Sequence, residues 1–336
     1  MKIAILGNGG REHALAYQIS KSPKIEKIYC IPGNAGTSIV AENVKIEIDD
    51  FNKIYNFVKI NQLDLVIVGP EKPLVEGIVD FLEKKNVKVF GPSQKASQLE
   101  GSKIFTKQIC EKFNIPTAKF GIFNNREKAL EYLKYSKFPI VIKADCIAAG
   151  KGVYICKDIE SSKIAVNEIF NGKFEKADQL LIEEFLEGEE MSYFIISDGN
   201  SFQSFNTAQD HKRVGEGDVG KNTGGMGAYS PSSLINPELE TKIIDRIIKP
   251  TLKAIREIGE IYLGFLYAGL MVKDNEPYLI EYNVRMGDPE CQTILPLLKS
   301  DLLDLINSCC EKKLEKTNIE WYEKKSLCIV LCSNGY

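Results

Sequence analysis

The sequence has little of several residue types on which whole classes of function depend. Only two histidines occur in its 336 residues, His13 and His211, and they lie in unrelated segments, so a histidine-based zinc site is not expected. Neither is accompanied by a serine elbow or a reactive-cysteine motif, which argues against a catalytic triad. The net charge of −3 lacks the basic excess typical of nucleic-acid-binding proteins. No apolar run approaches the roughly 20 residues that span a bilayer, so neither a nucleic acid nor a membrane is an expected partner.

The cysteines lack the regular spacing of a disulfide framework. There are nine of them, an odd number; Cys30, Cys156 and Cys328 lie inside apolar runs, and Cys309 and Cys310 are adjacent. This pattern indicates reduced, mostly buried thiols and predicts a cytoplasmic location. Hydrophobic and charged contents of 44% and 26% are ordinary for a globular protein, and the length predicts two or more domains.

The first hundred residues alternate between strand and helix patterns. Short apolar, β-branched runs predict strands at Lys2–Leu6, Lys27–Ile31, Val44–Ile48, Asp64–Val68 and Val87–Phe90. Apolar residues at helical spacing predict helices between them, at Arg11–Ile19, Phe51–Ile60 and Val75–Leu82. This alternation is typical of a doubly wound parallel sheet, in which ligands bind beyond the carboxyl ends of the strands.

Two glycine-rich loops follow predicted strands of this sheet, at Gly7–Arg11 and Pro32–Thr37. The first is not a dinucleotide fingerprint, because position 12 is glutamate and no acidic residue ends the second strand. Two interpretations remain: a plain strand-to-helix turn, or a phosphate site built from free N–H groups at a helix start. The second loop, at the next strand end, favours the phosphate site.

The middle of the chain carries the first part of a predicted ATP site. Lys143 ends an apolar strand, where its ammonium could hold phosphate oxygens. A loop of small residues follows, which allows close approach of the backbone to phosphates. Its predicted phosphate-binding residues are Ala148, Ala149, Gly150, Lys151 and Gly152.

A second segment is an apolar strand that ends in acidic residues. Its end is predicted to offer backbone groups to an adenine edge, at Glu183, Glu184, Phe185 and Leu186. Of the acids that follow, we assign Glu190 to the ribose hydroxyls and interpret Glu187 and Glu189 as solvated side chains.

A third segment, predicted as the returning strand of a hairpin, carries Glu281 and Asn283. Residues two apart on a strand point to one face, so both can offer oxygen ligands to a hard cation. Mg²⁺ held by one or two protein oxygens and by nucleotide phosphates is the expected arrangement.

Between the predicted strand Ser201–Thr207 and the predicted helix Glu238–Ile258 lies a polar, glycine-dense stretch. We interpret residues 209–227 as a long loop, and loops of this length are usually functional or disordered.

Several motifs together resemble the phosphoribosylamine–glycine ligase family of the ATP-grasp superfamily. They are Gly7–His13, Pro32–Thr37, Val68–Glu71, Gln209–Val214, Asn222–Tyr229, Gly264–Met271 and Gly287–Glu290. The resemblance implies a Rossmann-like domain at 1–100, an ATP-grasp domain at 101–324 with a mobile lid at about 120–190, and the start of a C-terminal domain at 325–336. It also implies de novo purine synthesis, in which ATP, glycine and 5-phosphoribosylamine give glycinamide ribonucleotide, ADP and phosphate.

The resemblance also implies residue roles. Lys103 joins Lys143 at the phosphates, and Mg²⁺ or Mn²⁺ is held by Glu281 and Asn283. Arg285 and Asp210 are assigned by charge to the carboxylate and ammonium of glycine, and with Lys143 they form the predicted catalytic set. The other predicted substrate-binding residues are Gly9, Gly10, Arg11, Asn34, Gly36, Thr37 and Lys212. A monomer is expected.

Two features depart from the family pattern. Position 146 is cysteine where the family usually has glycine, and we expect this to be tolerated. The sequence stops early in the C-terminal domain, so we expect the strand Ser326–Cys332 to lack its partners in that domain and its apolar residues to be either exposed or packed in a makeshift way. The rival interpretations are another ATP-grasp ligase, such as a carboxylating purine enzyme, and a nucleotide-binding fragment without catalysis.

Overall fold

The N-terminal sheet is parallel, as the strand–helix alternation predicts. The computed structural model describes residues 1–146, 152–174, 177–217 and 219–333, except for the side chains of residues 221 and 222. The strands of this sheet are β1 (Lys2–Gly7), β2 (Lys27–Pro32), β3 (Glu42–Asn43), β4 (Leu65–Val68) and β5 (Val89–Phe90). They lie in the order β3-β2-β1-β4-β5 with every pairing parallel, which is doubly wound topology.

The helices that cover this sheet are α1 (Gly10–Ile19), α2 (Phe51–Asn61), α3 (Glu71–Glu76) and α4 (Ile78–Glu83). The single helix predicted at Val75–Leu82 is wrong in extent, because Gly77 interrupts it with a φ of +91° that glycine adopts without strain. The strand predicted at Val44–Ile48 is also wrong. Its apolar residues Val44 and Ile46 pack against the core, but the strand ladder of β3 stops before them.

A second, four-stranded sheet carries the predicted phosphate and adenine segments. It follows α5 (Gln98–Gly101) and α6 (Lys103–Lys112) and contains β6 (Phe120–Phe123), β7 (Ile140–Ala144), β8 (Val153–Cys156) and β9 (Leu180–Glu184). The order is β6-β9-β7-β8, and all pairs are antiparallel. Helices α7 (Arg126–Leu133) and α8 (Ile159–Phe170) bury their apolar faces against it in a core of their own.

The third sheet has six strands in the order β14-β13-β10-β11-β12-β15. They are β10 (Glu189–Asp198), β11 (Phe202–Gly215), β12 (Val219–Ser230), β13 (Leu263–Lys273), β14 (Glu276–Asn283) and β15 (Ser326–Ile329). The predicted hairpin of β13 and β14 is confirmed, and its turn residues Asp274 and Asn275 have φ of +53° and +59°, as a type I′ turn requires.

The long loop predicted at residues 209–227 is wrong. Most of this stretch belongs to β11 and β12, which pair antiparallel with shifts in register. Backbone hydrogen bonds between neighbouring strands order this stretch, although its sequence does not alternate between apolar and polar residues. Its glycines allow the adjacent backbone to approach closely. A Cβ at Gly227, for example, would lie 2.7 Å from the carbonyl oxygen of Cys328.

The predicted helix Glu238–Ile258 is present in three pieces. Helix α9 (Pro237–Ile243) runs through a π-helical turn at Ile244–Ile248 into α10 (Lys249–Glu257). Pro250 lacks an N–H group and would crowd the carbonyl four residues earlier, which explains the wider turn. Helices α11 (Glu290–Ile294) and α12 (Leu302–Cys310) complete the fold.

Strand β15 has a partner outside the C-terminal domain, because it pairs antiparallel with Gly227–Ser230 at the edge of β12. Its apolar side chains are exposed, which is one of the two expected outcomes, with Leu327 69% and Ile329 68% accessible. All nine cysteines are free thiols. Among the described residues, no helix has the length and apolar character needed to cross a membrane.

Candidate active site

A cleft of about 460 Å³ lies where the two antiparallel sheets meet the N-terminal region. It brings together most of the residues selected from the sequence. They are Arg11, Lys103, Lys143, Gly152, Glu183, Glu184, Phe185, Leu186, Glu190, Asp210, Lys212, Glu281, Asn283 and Arg285. Ala148, Ala149, Gly150 and Lys151 lie outside the described residues.

Two lysines reach the cleft from different elements. Lys143 is the penultimate residue of β7 and its side chain is buried; its Nζ lies 3.0 Å from Glu183 Oε2 on the neighbouring strand β9. Lys103 begins α6 and donates from Nζ to the carbonyl oxygen of Cys146 at 2.7 Å. The start of α6 is fixed by Asp145, whose carboxylate accepts from Ser102 Oγ and from the N–H of Ile104. The two ammonium groups are therefore anchored in positions that suit an anionic ligand.

Glu281 and Asn283 both line the cleft, and their pairing with β13 is regular because the register shift of β14 lies before Glu281. Asn283 is buried, at 8% exposure. Burial alone would raise the pKa of Glu281, but the cations around it hold that pKa below its usual value. These cations are Lys212, Lys143, Lys103 and Arg285. A charged carboxylate and an amide oxygen thus face the same space, which is a donor set suited to a hard divalent cation.

Arg285 lies between two acids, with its side chain 16% exposed. Its Nη2 lies 2.5 Å from Glu100 Oε1, and its Nε lies 3.3 Å from Glu71 Oε2. Burial, partly offset by Arg285, raises the pKa of Glu100 to about 7. Burial alone would raise the pKa of Glu71, but Arg285, Arg11 and a backbone hydrogen bond together hold that pKa below its usual value. The guanidinium is therefore rigidly held at the wall of the cleft.

An acidic pocket surrounds Asp210 on β11. Burial and the neighbouring Glu290 raise the pKa of Asp210 to about 7, and its Oδ1 is buried without a hydrogen-bond partner among the described residues. Glu290 in turn accepts from Ser192 Oγ at 3.2 Å. Lys212 lies 3.3 Å from Glu190, and nearby Tyr267 and carboxylates raise the pKa of Lys212 against the effect of burial. A bound ammonium group would offset the repulsion between the carboxylates of Asp210 and Glu290.

Comparison with known proteins identifies the family that has these features. A model described as phosphoribosylglycinamide synthetase, N domain, matches residues 1–100, and one described as the ATP-grasp (A) domain of that synthetase matches residues 101–291. A phosphoribosylamine–glycine ligase of Brucella melitensis biotype 1 is 47% identical over 337 residues, covering 100% of this chain and 79% of that protein. The chain belongs to the phosphoribosylamine–glycine ligase family.

Solved structures agree with that membership. The crystal structure of a phosphoribosylamine–glycine ligase from Thermotoga maritima matches with a TM-score of 0.87 and 32% identity, covering 100% of this chain and 81% of that one. N5-carboxyaminoimidazole synthetase from Staphylococcus aureus, complexed with ADP, matches with a TM-score of 0.72 over 98% of this chain and 82% of that one. At 15% identity it shows the ATP-grasp fold alone and does not favour the rival carboxylating enzyme. The chain is accordingly an ATP-dependent ligase of purine biosynthesis.

The N-terminal loops of this ligase lie beside the cleft and do not line it, apart from Arg11. The free N–H groups predicted there have carboxylate partners, because Gly9 N–H donates to Glu12 Oε2 at 2.7 Å and Arg11 N–H to Asp288 Oδ2 at 3.1 Å. Asn34 donates from its side chain to the carbonyls of Asn8 and Gly9, so the two loops pack on each other. Thr37 is buried and bonded to Asn34, and Gly36 lies against His13.

The residues of the cleft that were not selected as site residues from the sequence include the charged side chains Glu71, Glu100, Lys107 and Glu290. Glu71 and Glu290 lie within the family motifs, and their proximity to a predicted site was a usable signal. Lys107 follows Lys103 by one helical turn, and this spacing also pointed to the cleft. Glu100 gave no comparable signal, because its partner Arg285 lies 185 residues away.

Proposed function

We propose that the chain ligates glycine to 5-phosphoribosylamine through glycyl phosphate, giving glycinamide ribonucleotide, ADP and phosphate. The observation that carries this proposal is a single cleft that combines lysines suited to phosphates, a pair of oxygen ligands and an acidic pocket suited to an amine. Family membership supplies the identity of the substrates. The cleft supplies the reason why these residues suit that chemistry.

A carboxylate is a poor electrophile, so the proposed reaction has two steps. A carboxylate oxygen of glycine attacks the γ-phosphorus of ATP, and the bond to ADP breaks. The amine of phosphoribosylamine then attacks the carbonyl carbon of glycyl phosphate, loses a proton and displaces phosphate. The side chains mainly position the reactants and offset charge, as expected for phosphoryl transfer.

The nucleotide is proposed to lie between the two antiparallel sheets. Lys103 and Lys143 hold its phosphates, and the small-residue loop before Val153 adds contacts. The backbone at residues 183–186 receives the adenine, since the side chain of Glu183 is already paired with Lys143. Glu190, 51% exposed at its side chain, is proposed to contact the ribose.

A divalent cation is proposed to bind at Glu281 and Asn283. Among the described residues no three His, Cys, Asp or Glu side chains form a complete metal cluster. The carboxylate of Glu281 and the amide oxygen of Asn283 fit a cation such as Mg²⁺, which takes most of its ligands from phosphates and water. Mn²⁺ suits the same donors. When bound, the cation would offset charge on the phosphates.

Glycine is proposed to bind between Asp210 and Arg285. Asp210 is assigned to the ammonium group because its Oδ1 is buried without a partner. Arg285 is assigned to the carboxylate, oriented by Glu71 and Glu100. Lys212 lies beside Asp210 and adds a positive charge at the same wall.

The activity of the enzyme is expected to depend on the ionisation of Asp210. Because the pKa of this carboxyl is raised to about 7, a falling pH protonates it and removes the charge that attracts the glycine ammonium. We expect kcat/KM for glycine to rise with pH and to level off above about pH 7. The Asp210→Asn variant should lose this rise together with most of its glycine affinity. A profile for Asp210→Asn that matches the wild type would contradict the assignment.

The N-terminal loops are proposed to recognise the ribose 5-phosphate of the second substrate. The residues concerned are Gly9, Gly10, Arg11, Asn34, Gly36 and Thr37. The N–H groups at the start of α1 are already bonded to carboxylates, and Arg11 Nε is paired with Glu12 at 2.6 Å. We therefore assign the attraction for the phosphate to the rest of the Arg11 guanidinium and to the neighbouring loop surface.

Gly10→Val tests this assignment. A Cβ at Gly10 would lie 2.4 Å from Gln292 Nε2, so the variant should displace Gln292 and with it Asp288. We expect KM for phosphoribosylamine to rise at least about tenfold, while affinity for an ATP analogue is unchanged. Loss of ATP binding with an unchanged response to phosphoribosylamine would assign the loops to the nucleotide.

The decisive test of the function is ADP formation by the purified chain with each substrate omitted in turn. The proposal requires ADP formation that depends on both glycine and phosphoribosylamine. Nucleotide binding without turnover would support the fragment interpretation, and turnover with another carboxylate would support another ATP-grasp ligase. We further propose a monomer in the cytoplasm, where nine free thiols stay reduced.

A further inference from the structure

Lys107 is a buried lysine that the proposed chemistry does not use. It lies on α6 four residues after Lys103, so both side chains leave the same face of the helix. Its side chain is 3% exposed, yet it reaches the lining of the cleft. Burial lowers the pKa of Lys107 despite the attraction of Glu183. A buried ammonium is costly unless it is paired, so its place here requires an explanation.

The partner of Lys107 is shared with a second lysine. Glu183 Oε1 lies 3.4 Å from Lys107 Nζ, and Glu183 Oε2 lies 3.0 Å from Lys143 Nζ. Glu183 pairs with Val141 across β9 and β7, which places it diagonal to Lys143 on one face of the sheet. The three buried side chains therefore carry two positive charges and one negative charge.

Lys107 is also held by groups other than Glu183. Its Nζ donates to Thr117 Oγ1 at 2.6 Å, and Thr117 Oγ1 donates to the carbonyl oxygen of Leu279 at 2.6 Å. The ring of Phe120 lies 5.4 Å from the ammonium. Leu279 belongs to β14, two residues before Glu281, so Lys107 is fixed to the strand that carries the proposed cation ligands.

We propose that Lys107 is a positioning residue for the nucleotide, which shares the charge of Glu183 so that the ammonium of Lys143 remains available to the phosphates. Without Lys107, Glu183 and Lys143 form a neutral pair. A neutral pair attracts a polyphosphate far less than a site with a net positive charge, and the difference is large in a buried site. The role acts on the nucleotide site proposed above and rests on that proposal.

Lys107→Met is the direct test. We expect its affinity for ATP, measured by titration calorimetry, to fall roughly tenfold or more, and KM for ATP to rise more than kcat falls. Binding of adenosine, which has no phosphate, should be unchanged. Lys107→Arg should restore most of the affinity for ATP. The matched control is Lys112→Met on the same helix, where the side chain is 66% exposed and pairs with Glu257.

The double variant Lys107→Met/Glu183→Gln separates a charge effect from a packing effect. Removing the carboxylate frees Lys143 again, so the double variant should bind ATP more tightly than Lys107→Met alone. Equal weakening for ATP and adenosine, or a double variant no better than the single one, would overturn the role. If Lys107→Met does not fold, Glu183→Gln alone decides, because its affinity for ATP must be at least that of the wild type. Glycine-dependent ADP formation by the wild type tests the proposed function separately.

Discussion

Replacing Arg285 with methionine is expected to lower the free energy of unfolding by about 3–5 kcal/mol. The guanidinium is the shared partner of Glu71 and Glu100, at 3.3 Å and 2.5 Å. Methionine has a similar length but leaves the two carboxylates close together without their shared guanidinium, and Arg11 offsets their charge only in part. The loss follows from the desolvation of those acids, because a buried charge without a partner is far more costly than a broken surface pair.

Chemical denaturation of Arg285→Met and of a surface control measures this loss. Arg246→Met is the matched control, since Arg246 is 44% exposed and pairs with Glu276 at the surface, and it should cost about 1 kcal/mol or less. Adding Glu100→Gln to Arg285→Met should recover part of the stability. An Arg285→Met variant as stable as Arg246→Met would show that the two acids find other partners.

The pH dependence of the free energy of unfolding is a second measure of the interaction between Arg285 and Glu100. Because the pKa of Glu100 in the folded protein is raised to about 7 from 4.5, the folded state binds its proton more tightly than the unfolded state does. Glu100 therefore contributes stability below about pH 4.5, and this contribution is lost as the pH rises to about 7. Removing Arg285 should extend the loss to higher pH. Arg285→Met/Glu100→Gln should lack this component.

Local sequence patterns were enough to predict the parts of the site that each element supplies alone. Lys143 ends an apolar strand, and Glu281 and Asn283 lie two apart on the returning strand of a hairpin. Each of these depends on strand periodicity and turn chemistry within about ten residues. The parallel topology of the first hundred residues also follows from local alternation, because a regular succession of short strands and single helices is typical of parallel sheets with crossover helices.

The partners that cross the fold could not be predicted in this way. The N–H of Arg11 is bonded to Asp288, which is 277 residues away, so the start of α1 looks free in sequence and is occupied in the structure. The stretch that forms β11 and β12 looks like a loop, because its glycines and charges hide the strand pattern. Its strands are ordered by neighbours on both sides, which no local window contains.

The other large effect is expected at the proposed cation site, where Glu281→Gln should reduce ligase turnover at least about a hundredfold. The carboxylate of Glu281 is the negative centre among Lys212, Lys143, Lys103 and Arg285. Glutamine keeps its shape but removes its charge, so the four cations repel one another and a divalent cation loses its charged ligand. Asn283→Ala should act in the same direction through the loss of an amide oxygen.

Glycine-dependent ADP formation over a range of Mg²⁺ concentrations measures this effect. We expect the deficit of Glu281→Gln to be largest at limiting Mg²⁺ and smaller when Mg²⁺ is in excess, because the missing ligand weakens binding of the cation. Glu187→Gln is the matched control, since Glu187 is 75% exposed and pairs only with surface Lys273 among the described ion pairs. Its turnover should equal that of the wild type. If Glu281→Gln also keeps wild-type turnover at limiting Mg²⁺ while its fold is intact, the cation is bound elsewhere, and Glu281 serves only to offset the charge of the surrounding lysines.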